Sequence, residues 1–224
     1  MFLYNRTLQL LKNINPNKLL HCIHYFDCPI RQKSHASIMS MKKALIILTE
    51  GAEEMELVIT ADVLRRAQID TTIAGLNTTN PVKCSRNVMI VPDKNLSTIN
   101  VDEFDAFILP GGMQAANTFA NDETIGTILK QFEQAKKVIA IICASPIALK
   151  HHGVGLNRHI TSHPSVAEQL NDKFKYSDDR VVNDDGLITS RGPGSAFEFA
   201  LEIVKQLAGE TKAQEIQPPM MLKK

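Results

Sequence analysis

Val138-Ile139-Ala140-Ile141-Ile142 is followed at once by Cys143-Ala144-Ser145-Pro146. An apolar, largely β-branched run this short reads as a strand covered on both faces, the signature of a parallel sheet with helices on either side. Two small residues and Pro146 then turn the chain into a helix, since proline is favoured in a first helical turn. That helix is predicted to run through Ile147, Ala148 and Leu149, to place His151 and His152 near its negative end, and to stop at Gly153. A side chain on such a strand-to-helix turn is pushed into the open at the carboxyl edge of the sheet. The arrangement is a nucleophile elbow with sulfur in place of the usual serine oxygen. The helix start is expected to lower the Cys143 thiol pKa and make thiolate available near neutral pH. The competing reading is an inert core cysteine, which is common for this residue type. The turn favours a reactive thiol, because buried inert cysteines rarely need one.

The chain has 224 residues, 44% of them hydrophobic, which suits one α/β domain with a filled core. Its formal net charge of +1 and the lack of a long basic run argue against nucleic-acid binding. Aromatics at 5% and the absence of Trp leave no stacking platform for bases. No apolar run is long enough to span a bilayer, so no membrane is expected. Cys22, Cys28, Cys84 and Cys143 are few and irregularly spaced, so a reducing compartment is expected rather than a disulfide scaffold.

Residues 1–40 differ from the remainder and are read as an N-terminal extension. Arg6, Lys12, Lys18, Arg31 and Lys33 stand against a single acid, Asp27. Leu3, Leu10, Leu11 and Ile14 share one helical face, opposite Arg6, Gln9 and Lys12, and Pro16 ends the pattern. An acid-poor, basic, amphipathic start predicts a mitochondrial transit peptide. Its alternatives are a leader with no address, and a start at Met41. The expected location is therefore mitochondrial, cytoplasmic or both. His21, Cys22, His24 and Cys28 lack the paired spacing of a zinc site, and no metal or cofactor is expected.

Residues 41–224 form the predicted domain. Ala44–Leu48 reads as a buried strand, and Gly51 turns the chain into a helix holding Glu53, Glu54 and Glu56. Glu56 precedes Ile59 by three residues and Val63 by seven, which places it near that helix's apolar face. Thr71–Ala74 is a second strand, residues 81–91 are a β excursion carrying Cys84 and Arg86, and Ala106–Leu109 runs into Pro110-Gly111-Gly112. A helix is predicted over 124–135. Asp184-Asp185-Gly186 reads as a hairpin turn. Ser195 and Glu198 are spaced as a capping box for a helix with Phe197, Ala200, Leu201, Val204 and Leu207 on one face, ending at Gly209. Alternating strands and helices imply right-handed crossovers, with ligands at the strands' carboxyl ends.

Gly51, Gly111-Gly112 and Cys143 all fall on that edge. The glycine pair is either a tight turn only, or a place where backbone N–H groups approach a ligand as an oxyanion hole. The N–H of Ala144 is the second donor that an elbow supplies. Glu56 is either a solvated first-turn charge or an inward carboxyl beside Cys143. In the second case it has to be protonated, because two adjacent anions repel, and low dielectric raises its pKa. It then donates a hydrogen bond to the sulfur. His163, before Pro164, is either a proton-transfer group or an ordinary turn histidine.

Lys43–Leu48, Gly51-Ala52-Glu53-Glu54-Met55-Glu56, Asp62–Ala67, Cys84-Ser85-Arg86, Leu109-Pro110-Gly111-Gly112, Ile142-Cys143-Ala144 and Thr189–Gly194 resemble the parkinsonism-associated deglycase ("DJ-one") family of the ThiJ/PfpI superfamily. The resemblance spans essentially Met41 to Leu222. It implies a flavodoxin-like three-layer sandwich that forms a homodimer, with Cys143 as the peroxide-sensitive thiol and Glu56 as its hydrogen-bond partner. It also implies glutathione-independent conversion of methylglyoxal to lactate, a debated deglycase activity, and protection against oxidative stress. Arg86 in the matching motif would lie near the dimer partner's site. Ser145 departs from the family's usual Gly or Ala, and Val91 stands where some relatives carry a further cysteine. Ala144 replaces the histidine of the superfamily's proteases, and no histidine follows His163 as a glutamine amidotransferase requires.

Two functions of different class are thereby expected. One is an enzyme in which Cys143 attacks a small oxo-aldehyde and Glu56 relays a proton, with Gly111, Gly112 and Ala144 lining the substrate's oxyanion site. The other is a non-catalytic redox sensor or chaperone acting through oxidation of Cys143 to the sulfinate. The first helix, with Met55, Ile59 and Arg65-Arg66, offers surface for a homodimer.

Overall fold

A computed structural model describes residues 41–222. The targeting expectation for residues 1–40, and the His21, Cys22, His24 and Cys28 group, lie outside the described residues.

In chain order the domain opens with β1 (Lys43–Leu48), α1 (Glu54–Arg66) and β2 (Asp70–Gly75). Three two-residue strands follow: β3 (Val82–Lys83), β4 (Met89–Ile90) and β5 (Lys94–Asn95). Then come β6 (Ala106–Leu109), α2 (Met113–Asn121), α3 (Glu123–Gln134) and β7 (Val138–Ile142). Beyond the elbow lie α4 (Ile147–His152), β8 (His159–Ile160), α5 (Pro164–Ala167) and β9 (Lys175–Tyr176). The chain closes with β10 (Val181–Asp184), β11 (Leu187–Ser190), α6 (Ala196–Ala208) and α7 (Glu210–Glu215).

Seven strands form one sheet in the order β10-β11-β7-β6-β1-β2-β5. Every neighbouring pair is parallel except β10–β11. That antiparallel pair is the Asp-Gly hairpin, with Asp185 at φ +48° and Gly186 at φ +87°, both in the left-handed region that a tight two-residue turn requires. Helix α1 packs on α6 and α6 on α7, whereas α2, α3 and α4 pack on one another. The two groups cover opposite faces, which is the mixed, mainly parallel α/β sandwich expected of the sequence. Its central strands are therefore buried on both sides: all five residues of β7 and all four of β6 are buried.

Several details differ from the expectations. Helix α2 was not legible: Phe119 is the one large apolar residue among its buried Ala115, Ala116 and Ala120, so its apolar stripe is thin. Asp122 then separates α2 from α3 by capping α3, its carboxylate accepting the N–H of Ile125. The predicted capping box of α6 does not form. Ser195 Oγ turns back to Ser190 Oγ and the Gly192 carbonyl, and Glu198 accepts from Arg180 instead. Phe197 is 39% exposed, because the buried arc of α6 centres on Phe199, Ala200, Ile203, Val204 and Leu207. It lies at the edge of that arc in the first turn.

Phe107 on β6 is fully buried and its ring sits 5.5 Å from that of Phe132 on α3. Replacing Phe107 by Ala removes that pair and leaves a cavity between sheet and helix. Urea unfolding should show a loss of about 3–5 kcal/mol.

Candidate active site

Strand β7 delivers Cys143 to the carboxyl edge, and the backbone there is strained. Cys143 has φ +68°, a region that side chains with a Cβ seldom adopt and that costs about 1–3 kcal/mol. Two hydrogen bonds hold it: its N–H donates to Ser190 O of β11 (2.9 Å), and its carbonyl accepts from His163 N–H (2.7 Å). The neighbouring strand and the segment before α5 thus impose the elbow conformation. Cys143 is 9% exposed, so its sulfur is reached only from one side.

Glu56 comes from α1 and is wholly buried. The start of that helix is arranged around it. Glu53 is the N-cap, its carboxylate accepting the Glu56 N–H at 2.9 Å. Glu56 Oε2 accepts the Gly111 N–H at 2.6 Å, while Oε1 has no hydrogen-bond partner among the described residues. The Cys143 sulfur lies on the Oε2 side of the carboxyl, both atoms bordering the space that a Cβ on Gly111 would fill. Gly111 has to be glycine because a Cβ there would collide with the Cys143 Cβ, would lie 2.5 Å from Glu56 Oε2 and would lie 2.9 Å from the sulfur. Gly112 is required for a second reason, its φ of +91°.

Burial pushes the Glu56 carboxyl up to about 8, against the pull of the Gly111 N–H. At neutral pH it therefore holds its proton, as the residue pattern suggested. The Cys143 thiol departs from expectation. Burial first, and then the negative charge of an ionised Glu56, push it up to about 12, while the N–H groups of Gly112 and Ala144 pull it down. Helix α4 is only six residues long and its N-cap, Pro146, carries no N–H, so the helix start offers little to stabilise a thiolate. Protonating Glu56 removes the repulsion and supplies an O–H donor instead. Near neutral pH both groups therefore rest protonated, and a thiolate at Cys143 forms more readily beside a protonated Glu56 than beside an ionised one.

Cys143 opens into a cavity of about 310 Å³ also lined by Glu53, Ser85, Arg86, Gly112, Ala144, His163 and Pro193. The site residues inferred from sequence are thus brought together, with differences in what each one offers. Gly111 has its N–H committed to Glu56, so the backbone donors facing the sulfur are Gly112 and Ala144. His163 lines the cavity and caps α5, its Nδ1 accepting the Ser165 N–H at 3.2 Å and lying 2.8 Å from Ser165 Oγ. Arg86 borders the cavity of its own chain on a loop held by buried Glu54, which accepts from Ser85 Oγ (2.8 Å) and Arg86 N–H (2.8 Å). Glu53 caps α1 although Glu is not among the usual N-cap residues, so its role is not marked by residue type. Glu54 and Ser85 are 31 residues apart, a separation that no local pattern reveals.

The DJ-1/PfpI family model matches residues 42–206. Protein dj-1beta of Drosophila melanogaster is 50% identical over 176 residues, covering 78% of this chain and 94% of that protein. A Caenorhabditis elegans protein named glutathione-independent glyoxalase DJR-1.2 is 41% identical over 187 residues, 83% of this chain and 99% of its own. The crystal structure of Drosophila melanogaster DJ-1beta superposes with a TM-score of 0.80 at 48% identity, covering 82% of this chain and all of that one.

The Glu56 carboxyl ordinarily ionises near 4.5, and in the folded protein near 8. Between those values the folded state binds the extra proton, so stability falls as pH rises toward 8 and the penalty then levels off. Glu56→Gln carries no such proton. Urea unfolding at pH 5 and pH 8 should show the variant gaining on the wild-type protein by on the order of 3 kcal/mol between the two. A difference that does not change with pH would mean Glu56 is ionised in the fold.

Proposed function

The chain belongs to the DJ-1/PfpI family, and from that premise we propose that it is a cysteine-dependent enzyme converting methylglyoxal and related oxo-aldehydes to 2-hydroxy acids without glutathione. The observation that carries this reading is the fully buried Glu56 carboxyl, its Oε2 held by the Gly111 N–H beside Cys143 and its Oε1 without a hydrogen-bond partner among the described residues. A relative named as a glutathione-independent glyoxalase supports the choice of substrate.

The chemistry needs a nucleophile, a proton shuttle and donors for negative oxygen, and each has a candidate. The Cys143 thiolate adds to the aldehyde carbon, and the Glu56 carboxylic acid protonates the resulting oxygen, giving a hemithioacetal. Ionised Glu56 then removes the hydrogen from that carbon as the adjacent ketone takes up the electrons, giving an enediol. The Gly112 and Ala144 N–H groups stabilise its developing oxyanion. Return of the proton to the neighbouring carbon gives a lactoyl thioester. Water cleaves it, releasing lactate and the thiol, so that methylglyoxal and water balance lactic acid. A pKa near 8 suits Glu56 to both halves of the shuttle at neutral pH.

Purified protein should form lactate from methylglyoxal, and because the buried Glu56 returns the proton it removed, lactate formed in deuterated water should keep mostly protium at C2. Cys143→Ser should abolish turnover, and Glu56→Gln should lower kcat at least 100-fold, because the amide donates to sulfur but cannot shuttle a proton. Full activity of Glu56→Gln would move the relay to another group, with His163 the next candidate.

A second reading, oxidation of Cys143 to a sulfinate in a sensor or chaperone, draws on the same two backbone donors, which suit added oxygens as well as an oxyanion. Mass spectrometry after mild peroxide, beside the lactate assay, separates the two roles. The dimer is proposed on exposed Met55 and Val58 of α1, beside exposed Val88, Met89 and Val91. Sedimentation at micromolar concentration should show twice the chain mass; a clean monomer would end the idea.

A further inference from the structure

Ser145 is wholly buried two residues after Cys143, and its hydroxyl donates to the Pro110 carbonyl at 2.6 Å. The other end of that same peptide group is the Gly111 N–H, which donates to Glu56 Oε2, also at 2.6 Å. A peptide group is planar, so fixing its oxygen fixes the direction of its N–H. A hydrogen bond accepted at the oxygen also polarises the N–H and strengthens it as a donor. Two side chains 89 residues apart in number are therefore joined through one peptide plane. We propose that Ser145 is a positioning residue that acts through the Pro110–Gly111 peptide to orient the Glu56 carboxyl against Cys143.

The inference rests on Cys143 and Glu56 being the reacting pair. The hydroxyl is directed at the Pro110 carbonyl. Its influence passes from Ser145 to the Pro110 oxygen, from the Gly111 nitrogen to Glu56 Oε2, and from the carboxyl to Cys143. The titratable groups around the carboxyl are Cys143 from the elbow after β7 and Glu53 from the start of α1, with Arg86 and His163 across the cavity. None of these touches Ser145 through a hydrogen bond among the described residues. The simpler alternative is that Ser145 only satisfies a buried carbonyl, in which case its loss lowers stability and leaves the pair's protonation alone.

The test follows alkylation of Cys143 by iodoacetamide across pH in the full chain, read by mass spectrometry on the peptide containing that residue. Ser145→Ala weakens the Gly111 N–H as a donor to the ionised carboxyl, so Glu56 keeps its proton to higher pH and the midpoint for Cys143 should fall by about 0.5 pH unit. In a Glu56→Leu background the same Ser145→Ala change should leave the midpoint where it was, since the route is cut. Ser145→Thr keeps a hydroxyl and should retain the wild-type midpoint. An unmoved midpoint in Ser145→Ala, or an equal shift in the Glu56→Leu background, would overturn the proposal, as would a threonine variant that behaves like alanine. These readings need no turnover. A shifted midpoint in a protein inert toward methylglyoxal keeps the Ser145 role and removes the enzyme, and an active protein with an unmoved midpoint does the reverse.

Discussion

The hydrogen bond from Gly111 N–H to Glu56 Oε2 joins the first helix to the loop after β6, and the chemistry of the cleft depends on it. A carboxyl buried to this degree is costly to ionise, so it keeps its proton unless donors compensate. A single backbone donor is not enough to compensate, and Glu56 remains an acid near neutral pH. That one circumstance determines what Cys143 can be. Beside an ionised carboxylate a buried thiol keeps its proton, whereas beside a protonated one it has a donor and no repulsion. The elbow, the glycines and the helix start all serve to hold a carboxyl and a sulfur together that would otherwise repel.

The elbow is maintained from outside itself. Cys143 sits at a positive φ, and α4, short and proline-capped, does not hold that conformation alone. Ser190 on β11 and the His163 segment hold it by its N–H and carbonyl. Strand order matters here: β11 lies next to β7 because the chain returns through a parallel crossover, and the Asp-Gly hairpin then adds β10 outside it. The residues bordering the cavity come from the turn before α1, the loop after β3, the loop after β6, the elbow, and the segments before α5 and α6. All of them meet at the carboxyl edge of one sheet, where such sheets place their ligands.

Much of this was legible along the chain. The apolar runs at β1, β6 and β7, the Asp-Gly turn, the stop at Gly153 and the α6 stripe ending at Gly209 are local patterns, and each follows from backbone sterics or burial over a few residues. Cys143 was identifiable as an elbow residue because a strand, two small residues and a proline leave the chain little choice. Glu56 was identifiable because helical spacing turns it inward. Its protonation followed from placing two acids in one low-dielectric space.

Tertiary structure decided which donors those groups receive. Gly111 and Gly112 are indistinguishable in the sequence, yet one N–H is committed to Glu56 and the other faces the sulfur. Ser195 matched a capping box but found Ser190 Oγ and the Gly192 carbonyl closer than the helix end. The Cys143 thiol illustrates the same limit, since the short helix suggested stabilisation of charge while burial, known only from packing, opposed it. Local pattern determines which face a side chain takes. Hydrogen-bond partners and dielectric are set by segments dozens of residues away, as with Ser145 and Pro110, and only the folded chain brings those together.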